Sequence, residues 1–334
     1  MRPKLSVLLP LKNAAATLED CLKSLESQTF SSFEIIAVDH ASDDASSQIL
    51  KTFAARDTRL RVIQSDAPSL PLALNEGLAA CEGEFVARMD ADDLCMPTRF
   101  ENQVKMLKSD QSLAMLGCKV EFFSESNISD GMRAYETWIN SLDSPDAIQR
   151  GLFVECPLPH PSWMARRELF ESLKYLDDGL PEDYHFVLRA VEMGVRMAKP
   201  EGVLLRWREH DTRHSKTHAR YARPAFMKLR ARFLKRLVIK DDPCILWGAG
   251  DRGRLLARLL QDEGVAISSV VGWSPKGTEA SSVHGVEVIP PEALPATLPG
   301  PLIACVGAPG ARDEIRAWAG KRRWTEGKDY WFAS

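Results

Sequence analysis

The sequence lacks an uninterrupted apolar run of about 18 residues, which a membrane-spanning helix requires. Its first residues, Met1 to Lys4, lead into a short apolar stretch with no small-residue cleavage site, so a signal peptide is not expected. The seven cysteines are odd in number, widely dispersed and without any C-x-x-C pair. We therefore expect neither a disulfide framework nor a cysteine-based zinc site, but buried thiols in a cytoplasmic protein.

The composition excludes the extreme classes of protein. The chain has 334 residues, of which 45% are hydrophobic and 27% are charged, and its formal net charge is −3. Disordered and collagen-like chains have strongly biased compositions, which this sequence does not share. Its length predicts about two globular domains.

One segment departs from this even balance of charge. Residues 206–240 hold twelve Lys or Arg and two acids, a local charge of +10 that leaves −13 for the remainder. Apolar residues recur there at roughly helical spacing, which predicts a basic amphipathic helix. We favour packing of its apolar face on the domain; the alternative is docking on anionic lipid headgroups at the inner face of a membrane. Nucleic acid is not expected as a partner, because no recognition-helix, RNP or zinc-finger signature accompanies the charge.

Short β-rich runs alternate with helical stretches over the first ninety residues. Strands are expected at 5–9, ended by Pro10, and at 34–38, 60–63 and 84–89, with helices at 14–28, 45–56 and 70–81. This alternation predicts a parallel α/β sheet. Ligands of such sheets bind beyond the carboxyl ends of the strands, so Pro10, Asp39 and Asp90 should share one crevice.

The strongest chemical signal is an acidic motif that follows the fourth strand. Asp90 and Asp92 are spaced by one residue, and Arg88 precedes them. Two such carboxylates offer hard oxygen ligands to Mg²⁺ or Mn²⁺, and through the metal to a diphosphate. A lone D-x-D is more often a solvated acidic turn, but the leading strand, Arg88 and the upstream segment 75–79 favour a site.

Several further motifs follow one another along residues 6–215. In the first part of the chain they are SVLLPLKN at 6–13, Gln28, AVDHASDD at 37–44, NEGL at 75–78 and ARMDADD at 87–93. Downstream they are RFENQV at 99–104, PHPS at 159–162, PEDY at 181–184 and the segment 206–215. In this order and spacing, the motifs resemble those of the family 2 glycosyltransferases, and together they are far more specific than any one alone.

This resemblance implies a GT-A fold and an inverting transfer of a sugar from a nucleotide-diphosphate donor, usually a UDP-sugar. Pro10, Leu11 and Asn13 would line the nucleotide pocket, and Asp39 would contact the base, usually uracil. Many relatives carry a second acid after the residue that corresponds to Asp39. This sequence has His40 there, which leaves the detail of base recognition open.

The same resemblance implies a bound divalent metal, Mn²⁺ or Mg²⁺. Arg88 and Asp90 would hold the ribose and diphosphate region, and Asn75 would contact the substrate. The implied metal ligands are Asp90, Asp92 and His210, with His214 as a second candidate for the place of His210. A lone surface histidine is the alternative for His210.

An inverting displacement also needs a base that accepts the proton of the acceptor hydroxyl. Asp183 is implied as this base, while Glu182 and the residues from His160 to Trp163 would shape the acceptor pocket. The alternative for Asp183 is an acid favoured by the dipole at the start of a helix predicted over 184–194.

The pattern restarts after residue 243. A strand at 244–247 is followed by Gly248, Gly250 and Gly253 in a G-x-G-x-x-G spacing, and a helix is expected at 254–263. The ribose-binding acid expected at the end of the next strand, near residue 274, is absent. We favour a structural or interaction module over NAD binding, and binding of another phosphorylated ligand at these glycines stays open.

The sequence therefore predicts an α/β chain with three segments: a GT-A domain over 1–205, a basic helical segment over 206–240 and a small Rossmann-like domain over 241–334. The first divides into a nucleotide-sugar half, 1–94, and an acceptor half, 95–205. We expect a metal-dependent glycosyltransferase that acts on a saccharide or lipid-linked acceptor. The alternatives are a catalytically silent sugar-nucleotide-binding or scaffold protein and an NAD-dependent oxidoreductase.

Overall fold

The computed structural model describes residues 3–211, 213–272 and 282–334. The chain divides into two compact units. The first comprises Met1–Ile148 and Pro157–His218, and the second comprises Gln149–Cys156 and Ala219–Ser334. The segment limits expected from the sequence, at residues 94, 205 and 240, stay predictions.

The strands of the first unit form two sheets. In chain order they are β1 (Leu5–Leu11), β2 (Phe33–Asp39), β3 (Leu60–Gln64), β4 (Phe85–Arg88), β5 (Leu94–Cys95), β6 (Leu113–Leu116), β7 (Lys119–Phe123), β8 (Met164–Arg166), β9 (Arg196–Ala198) and β10 (Val203–Arg208). Seven strands form one sheet in the order β3-β2-β1-β4-β8-β6-β9, and the other has the order β5-β10-β7. β1 to β4 pair in parallel, whereas β8 is antiparallel to β4 and β6. The carboxyl ends of β1, β2 and β4 consequently lie at one edge of the large sheet.

Helices lie between these strands and after the last of them. They are α1 (Leu18–Glu26), α2 (Ser46–Ala54), α3 (Leu70–Ala80), α4 (Arg99–Ser109), α5 (Asp130–Ser141), α6 (Pro145–Gly151), α7 (Arg167–Leu173), α8 (Glu182–Glu192) and α9 (His214–Thr217). α3 illustrates the packing on the sheet, because a Cβ atom on Gly77 would lie only 2.5 Å from Cγ2 of Val38 in β2. The glycine of the NEGL motif therefore permits close approach of helix and sheet.

β1 continues through Pro10 to Leu11, so the prediction that Pro10 ends this strand is wrong. The amide of Met89 donates to the carbonyl oxygen of Leu8, and the amide of His40 donates to that of Leu11. Backbone groups alternate between the two sides of a strand, so the missing N–H of Pro10 faces the side of β4, which has already ended at Arg88. Proline at this position costs no hydrogen bond of the ladder.

The second unit contains a separate sheet. Its strands are β11 (Cys244–Trp247), β12 (Ile267–Val271), β13 (Ser282–Val283), β14 (Val286–Ile289), β15 (Leu302–Ala304) and β16 (Tyr330–Phe332), in the order β13-β14-β12-β11-β15-β16. Its helices are α10 (Arg223–Leu234), which continues as a π-helix over Lys235–Ile239, α11 (Asp251–Asp262) and α12 (Ala311–Lys321). The neighbouring strands β14, β12, β11, β15 and β16 all pair in parallel. The predicted position of the missing ribose acid, near residue 274, lies outside the described residues.

The glycines after β11 are needed for packing. A Cβ atom on Gly248 would collide with the carbonyl oxygen of Cys305, and one on Gly253 would collide with the carbonyl oxygen of Gly248. Gly248 also has a φ of 143°, which favours glycine. The turn thus carries α11 tightly against the end of β11, and α11 begins at Asp251, three residues before the predicted start.

The basic segment contains α10, whose charges are less available than the sequence suggests. Arg230 is buried, and its guanidinium donates to the carbonyl oxygen of Val154 at 2.6 Å and lies 3.6 Å from the carboxylate of Glu155. Arg232 lies 3.8 Å from the carboxylate of Glu263. Packing of this helix within its own unit therefore accounts for its apolar face and for part of its charge.

None of the helices in the described parts of the chain combines the length and the hydrophobicity needed to cross a bilayer.

Candidate active site

Three carboxylates gather where β4 ends. Ligand atoms of Asp90, Asp92 and Asp93 all lie within 4.8 Å of one another. Asp90 and Asp92 are partly exposed, with side chains 31% and 32% accessible, whereas Asp93 is completely buried. The arrangement brings together two of the predicted metal ligands and adds Asp93, which the sequence analysis did not select.

The cluster is electrostatically unfavourable without a cation. Burial and the neighbouring charge of Asp90 raise the pKa of Asp92, against an opposing hydrogen bond from His210. Burial and the charges of Asp92 and Asp90 raise the pKa of Asp93 well above its usual range. One oxygen of Asp93 accepts a hydrogen bond from the amide of Arg208 at 2.7 Å, and the other has no partner among the described residues. The site therefore concentrates negative charge that a cation would neutralise.

Arg88 supplies positive charge beside the cluster. It is the last residue of β4, is almost fully buried and pairs with Asp90. Its Nε atom is also buried and has no hydrogen-bond partner within the described ranges. The backbone carbonyl of Arg88 accepts a hydrogen bond at 2.8 Å from Arg99, whose wholly buried guanidinium lies in α4. Arg99 thereby fixes the end of β4, which explains its place in the motif at 99–104.

The small sheet closes the cluster from its other side. His210 follows β10, and its Nε2 lies 3.0 Å from a carboxylate oxygen of Asp92. The guanidinium of Arg208 donates to the backbone carbonyl of Asp92 at 2.7 Å. The structure thus brings His210 to the predicted metal ligands, while the side chain of His214 lies outside the described part of the chain.

Asp39 ends β2 at the same edge of the sheet and is buried. Burial favours its neutral form, but hydrogen bonds from the amide of Ser42 at 3.1 Å and the hydroxyl of Ser47 at 2.5 Å outweigh this effect and lower its pKa. Asp39 is therefore a fixed carboxylate. His40, which stands where relatives carry a second acid, lies with Nε2 2.5 Å from the carbonyl oxygen of Ala67.

The other residues of the predicted nucleotide pocket lie beside Asp39. Pro10 and Leu11 are buried in β1, and Leu11 pairs with Asp39. Asn13 has a φ of 53°, and its side-chain oxygen accepts a hydrogen bond from the amide of Asp43 at 2.9 Å. Asn13 thereby connects the loop after β1 to the loop after β2.

Asn75 and His160 converge on a residue that the sequence analysis missed. The side chain of Asn75 forms two hydrogen bonds with the backbone of Tyr175, and Nε2 of His160 lies 2.8 Å from the Tyr175 hydroxyl. Burial raises the pKa of Tyr175 well above its usual range, and the charges of Glu182 and Asp183 raise it further, while Arg88 opposes them. The charges of the predicted base and of predicted donor-site residues thus act on one hydroxyl.

Asp183 lies in the first turn of α8, which begins at Glu182, two residues before the predicted start. Glu182 is 1% exposed, whereas Asp183 is partly exposed. An acid in this position is favoured by the helix dipole whatever its function. The geometry is therefore compatible with both interpretations of Asp183, and its role as base stays a prediction.

A comparison with protein families now adds to this geometry. Residues 6–174, about half of the chain, match the family model described as glycosyl transferase family 2. The chain belongs to this family. The match covers β1 to β8 and the acidic cluster, so the resemblance inferred from the motifs is confirmed.

Curated relatives of this glycosyl transferase family 2 chain come from bacteria and eukaryotes. EpsE of Bacillus subtilis, a protein named as a glycosyltransferase, is 31% identical over 174 residues, which are 52% of this chain and 59% of that protein. The amylovoran biosynthesis glycosyltransferase AmsE of Erwinia amylovora is 33% identical over 210 residues, 61% of this chain and 75% of that protein. The chain thus spans less than two thirds of the length of EpsE.

Solved structures extend the likeness to the fold. TarS residues 1–349 of S. aureus, in complex with UDP-GlcNAc, matches with a TM-score of 0.56 and 19% identity over 77% of this chain and 71% of that chain. The mannosyltransferase PcManGT of Pyrobaculum calidifontis, in complex with GDP-Man and Mn²⁺, matches with a TM-score of 0.51 and 23% identity over 70% and 62% of the two chains. The prediction of an α/β GT-A fold is confirmed, whereas the Rossmann-like assignment of residues 241–334 stays a prediction.

Proposed function

We propose that this family 2 chain transfers a sugar, with inversion, from a nucleotide-diphosphate donor to a hydroxyl group of a saccharide or lipid-linked acceptor. The observation that carries the proposal is the cluster of Asp90, Asp92 and Asp93 within 4.8 Å, next to buried Arg88. Such a charge arrangement costs folding free energy, and it is useful when a cation and a diphosphate occupy the site.

A divalent metal, Mn²⁺ or Mg²⁺, fits the donor set. Asp90 and Asp92 would hold it with carboxylate oxygens, and the ring of His210 is close enough to Asp92 to contribute. When bound, the metal neutralises negative charge on the departing nucleoside diphosphate. An orphaned oxygen of Asp93 and the raised pKa values of Asp92 and Asp93 support this assignment.

The donor would bind along the ends of β1, β2 and β4. Asp39 remains ionised and can accept hydrogen bonds from an N–H group of the base. Arg88 would offer its guanidinium to the diphosphate region, since its Nε is free of a partner in the described chain. Uracil is the proposed base, which agrees with the UDP-GlcNAc complex of TarS, while the GDP-Man complex of PcManGT makes guanine the alternative.

Asp183 is the proposed general base. Its carboxylate would accept the proton of the acceptor hydroxyl as that oxygen attacks the anomeric carbon, while the bond to the leaving diphosphate breaks. A positioned base typically contributes a factor of ~10²–10⁴ to the rate. The charges of Asp183, Asp90 and Arg88 all influence the pKa of the buried Tyr175 hydroxyl. This shared influence supports a position of Asp183 between the donor and the acceptor.

The acceptor is proposed to be a saccharide or a lipid-linked saccharide. AmsE is named as an enzyme of amylovoran biosynthesis, which favours a polysaccharide pathway for this chain as well. Exposed basic residues of α10, such as Arg223 and Lys228, would allow peripheral contact with an anionic membrane, in keeping with a cytoplasmic location.

The test of this function compares Asp183→Asn with Asp146→Asn. Both acids lie in the first turn of a helix, α8 and α6 respectively, so both variants remove the same interaction with a helix dipole. The assay measures release of UDP or GDP from a panel of nucleotide sugars with Mn²⁺ and octyl glycosides. We expect Asp183→Asn to lose ~10²–10⁴-fold in kcat with unchanged nucleotide affinity, and Asp146→Asn to resemble wild type. Equal activity of the two variants would remove Asp183 from the mechanism.

A further inference from the structure

Tyr175 is held more rigidly than its place in a loop after α7 requires. Its side chain is 2% exposed. Four rings surround it, with centroids between 5.3 and 6.5 Å away: His160, Trp163, Phe170 and Phe186. The ring of Trp163 is almost parallel to that of Tyr175, with an interplanar angle of 6°. The position of the Tyr175 hydroxyl is therefore determined by packing.

The backbone of Tyr175 is fixed as well. The side-chain amide of Asn75 donates to its carbonyl oxygen at 2.8 Å, and the amide N–H of Tyr175 donates to the Asn75 oxygen at 2.9 Å. Asn75 lies in α3, 100 residues earlier in the chain. Asn75, in the predicted nucleotide-sugar half, thus holds Tyr175, in the predicted acceptor half, through two hydrogen bonds. This contact gives Asn75 a structural role besides the direct substrate contact that was predicted.

The hydroxyl of Tyr175 has one hydrogen-bond partner in the described part of the chain, Nε2 of His160 at 2.8 Å. A buried hydroxyl hydrogen needs an acceptor, and this nitrogen is the acceptor available. Burial, reinforced by the charge of Arg88, lowers the pKa of His160 well below its usual range, so its ring is neutral. With Nε2 accepting from Tyr175, the ring proton of His160 lies on Nδ1.

We propose that Tyr175 is a positioning residue that holds His160 in the Nδ1–H form, so that His160 donates a hydrogen bond to an oxygen of the acceptor saccharide. This inference rests on the proposed glycosyl transfer. Nδ1 of His160 has no hydrogen-bond partner within residues 3–211, 213–272 and 282–334, so this donor is available. Asn75 contributes by fixing the backbone from which the Tyr175 ring projects.

The proposal separates two reactions of the same enzyme. Transfer to a saccharide requires the acceptor to be oriented, whereas hydrolysis of the donor uses water and needs no contact with His160. Loss of the Tyr175 hydroxyl should therefore reduce transfer and leave hydrolysis unchanged. A general loss of folding or of the base would reduce both reactions together.

The experiment measures transfer to octyl glycosides and hydrolysis of the same nucleotide sugar in one reaction, with Mn²⁺ present. We expect Tyr175→Phe to lower the ratio of transfer to hydrolysis about tenfold, with the hydrolysis rate and the donor KM within about twofold of wild type. Tyr330→Phe, which removes the hydroxyl of another buried tyrosine, in the second unit, is the control variant and should keep the wild-type ratio.

A double-mutant cycle then identifies the partner. If Tyr175 acts through His160, adding Tyr175→Phe to His160→Ala changes the ratio no further. An unchanged ratio in Tyr175→Phe, or an equal fall in both reactions, overturns the inference while wild-type transfer upholds the proposed function. Absence of transfer by the wild-type enzyme to every probe overturns the proposed function and this inference with it.

Discussion

The two units end their parallel strands in different ways. In the first unit, β2 ends at Asp39 and β4 ends at Arg88. The carboxylate cluster at 90–93 directly follows β4. In the second unit, β11 is followed by Gly248, and Gly307 lies near the end of β15 against the guanidinium of Arg252. The first unit therefore concentrates charge beyond its parallel strands, whereas the second unit packs glycines closely against neighbouring atoms there.

This difference indicates where the chemistry lies. Charges gathered at a strand edge oppose folding, and proteins keep them where function requires it. Close packing of a glycine turn serves stability without any ligand. From this difference we expect the proposed transfer to take place in the first unit and the glycines of the second unit to have a structural role, and each expectation can be tested.

The largest effect is expected from Asp92→Asn. Removal of this carboxylate should lower kcat at least about 100-fold, because Asp92 would hold the proposed metal, and the positive charge of that metal would stabilise the leaving group. In the presence of EDTA the melting temperature should stay the same or rise, since burial and Asp90 disfavour the ionised form of Asp92. Activity assays and calorimetry measure the two quantities.

The surface variant Asp110→Asn provides the control for charge alone, because Asp110 is partly exposed and accepts a hydrogen bond from the amide of Ser112. It should retain full activity. Wild-type metal dependence in Asp92→Asn would contradict the metal assignment. A clear loss of stability in EDTA would contradict the view that the cluster is retained at a cost to folding.

The first four strands could be predicted from the sequence because each is a short apolar run between turn residues. The pairing of β8 between β4 and β6 could not, since those partners are distant in sequence and depend on tertiary packing. Pro10 shows the same limit on a small scale. Whether proline ends a strand depends on which neighbour its missing N–H faces, and that neighbour is known only from the fold.

The candidate site divides in a similar way. Asp90, Asp92 and His210 could be selected because motifs carry them, and the structure places them together. Asp93 and Tyr175 could not be selected as site residues from the sequence. Their importance comes from burial and from partners up to 115 residues away along the chain. For Asp93, the acidic motif itself was a signal, whereas no local pattern distinguishes Tyr175.

A smaller effect is expected in the second unit from Gly253→Ala. The new methyl group would collide with the carbonyl oxygen of Gly248, which is backbone and cannot turn aside. We expect destabilisation by about 1–3 kcal/mol, typical of overpacking, with nucleotide-sugar turnover at the wild-type level. Differential scanning calorimetry of the full chain and the donor assay measure the two outcomes.

Gly250→Ala is the matched variant, because a Cβ atom there meets nothing within 4 Å and its φ is −79°. It should leave stability nearly unchanged. Titration with NAD, with and without Mn²⁺, completes the comparison. Binding of NAD that disappears in Gly253→Ala would give the second unit a ligand and would break the contrast between the two strand edges.

The smallest effects concern the charges of α10 and of the π-helix that continues it, where Arg230 and Arg236 form a natural pair. Arg236 is exposed, so Arg236→Met should change the free energy of unfolding by less than about 0.5 kcal/mol. Arg230→Met leaves the carbonyl oxygen of Val154 without its buried donor and should cost about 1–3 kcal/mol of the free energy of unfolding.

If the segment also contacts membranes, as proposed, Arg236→Met should weaken salt-sensitive binding to phosphatidylserine vesicles by about 1 kcal/mol, or roughly fivefold. Arg230→Met should bind them like wild type, because a buried guanidinium does not reach lipid; equal losses in both variants would mean that unfolding, and not surface charge, controls the binding.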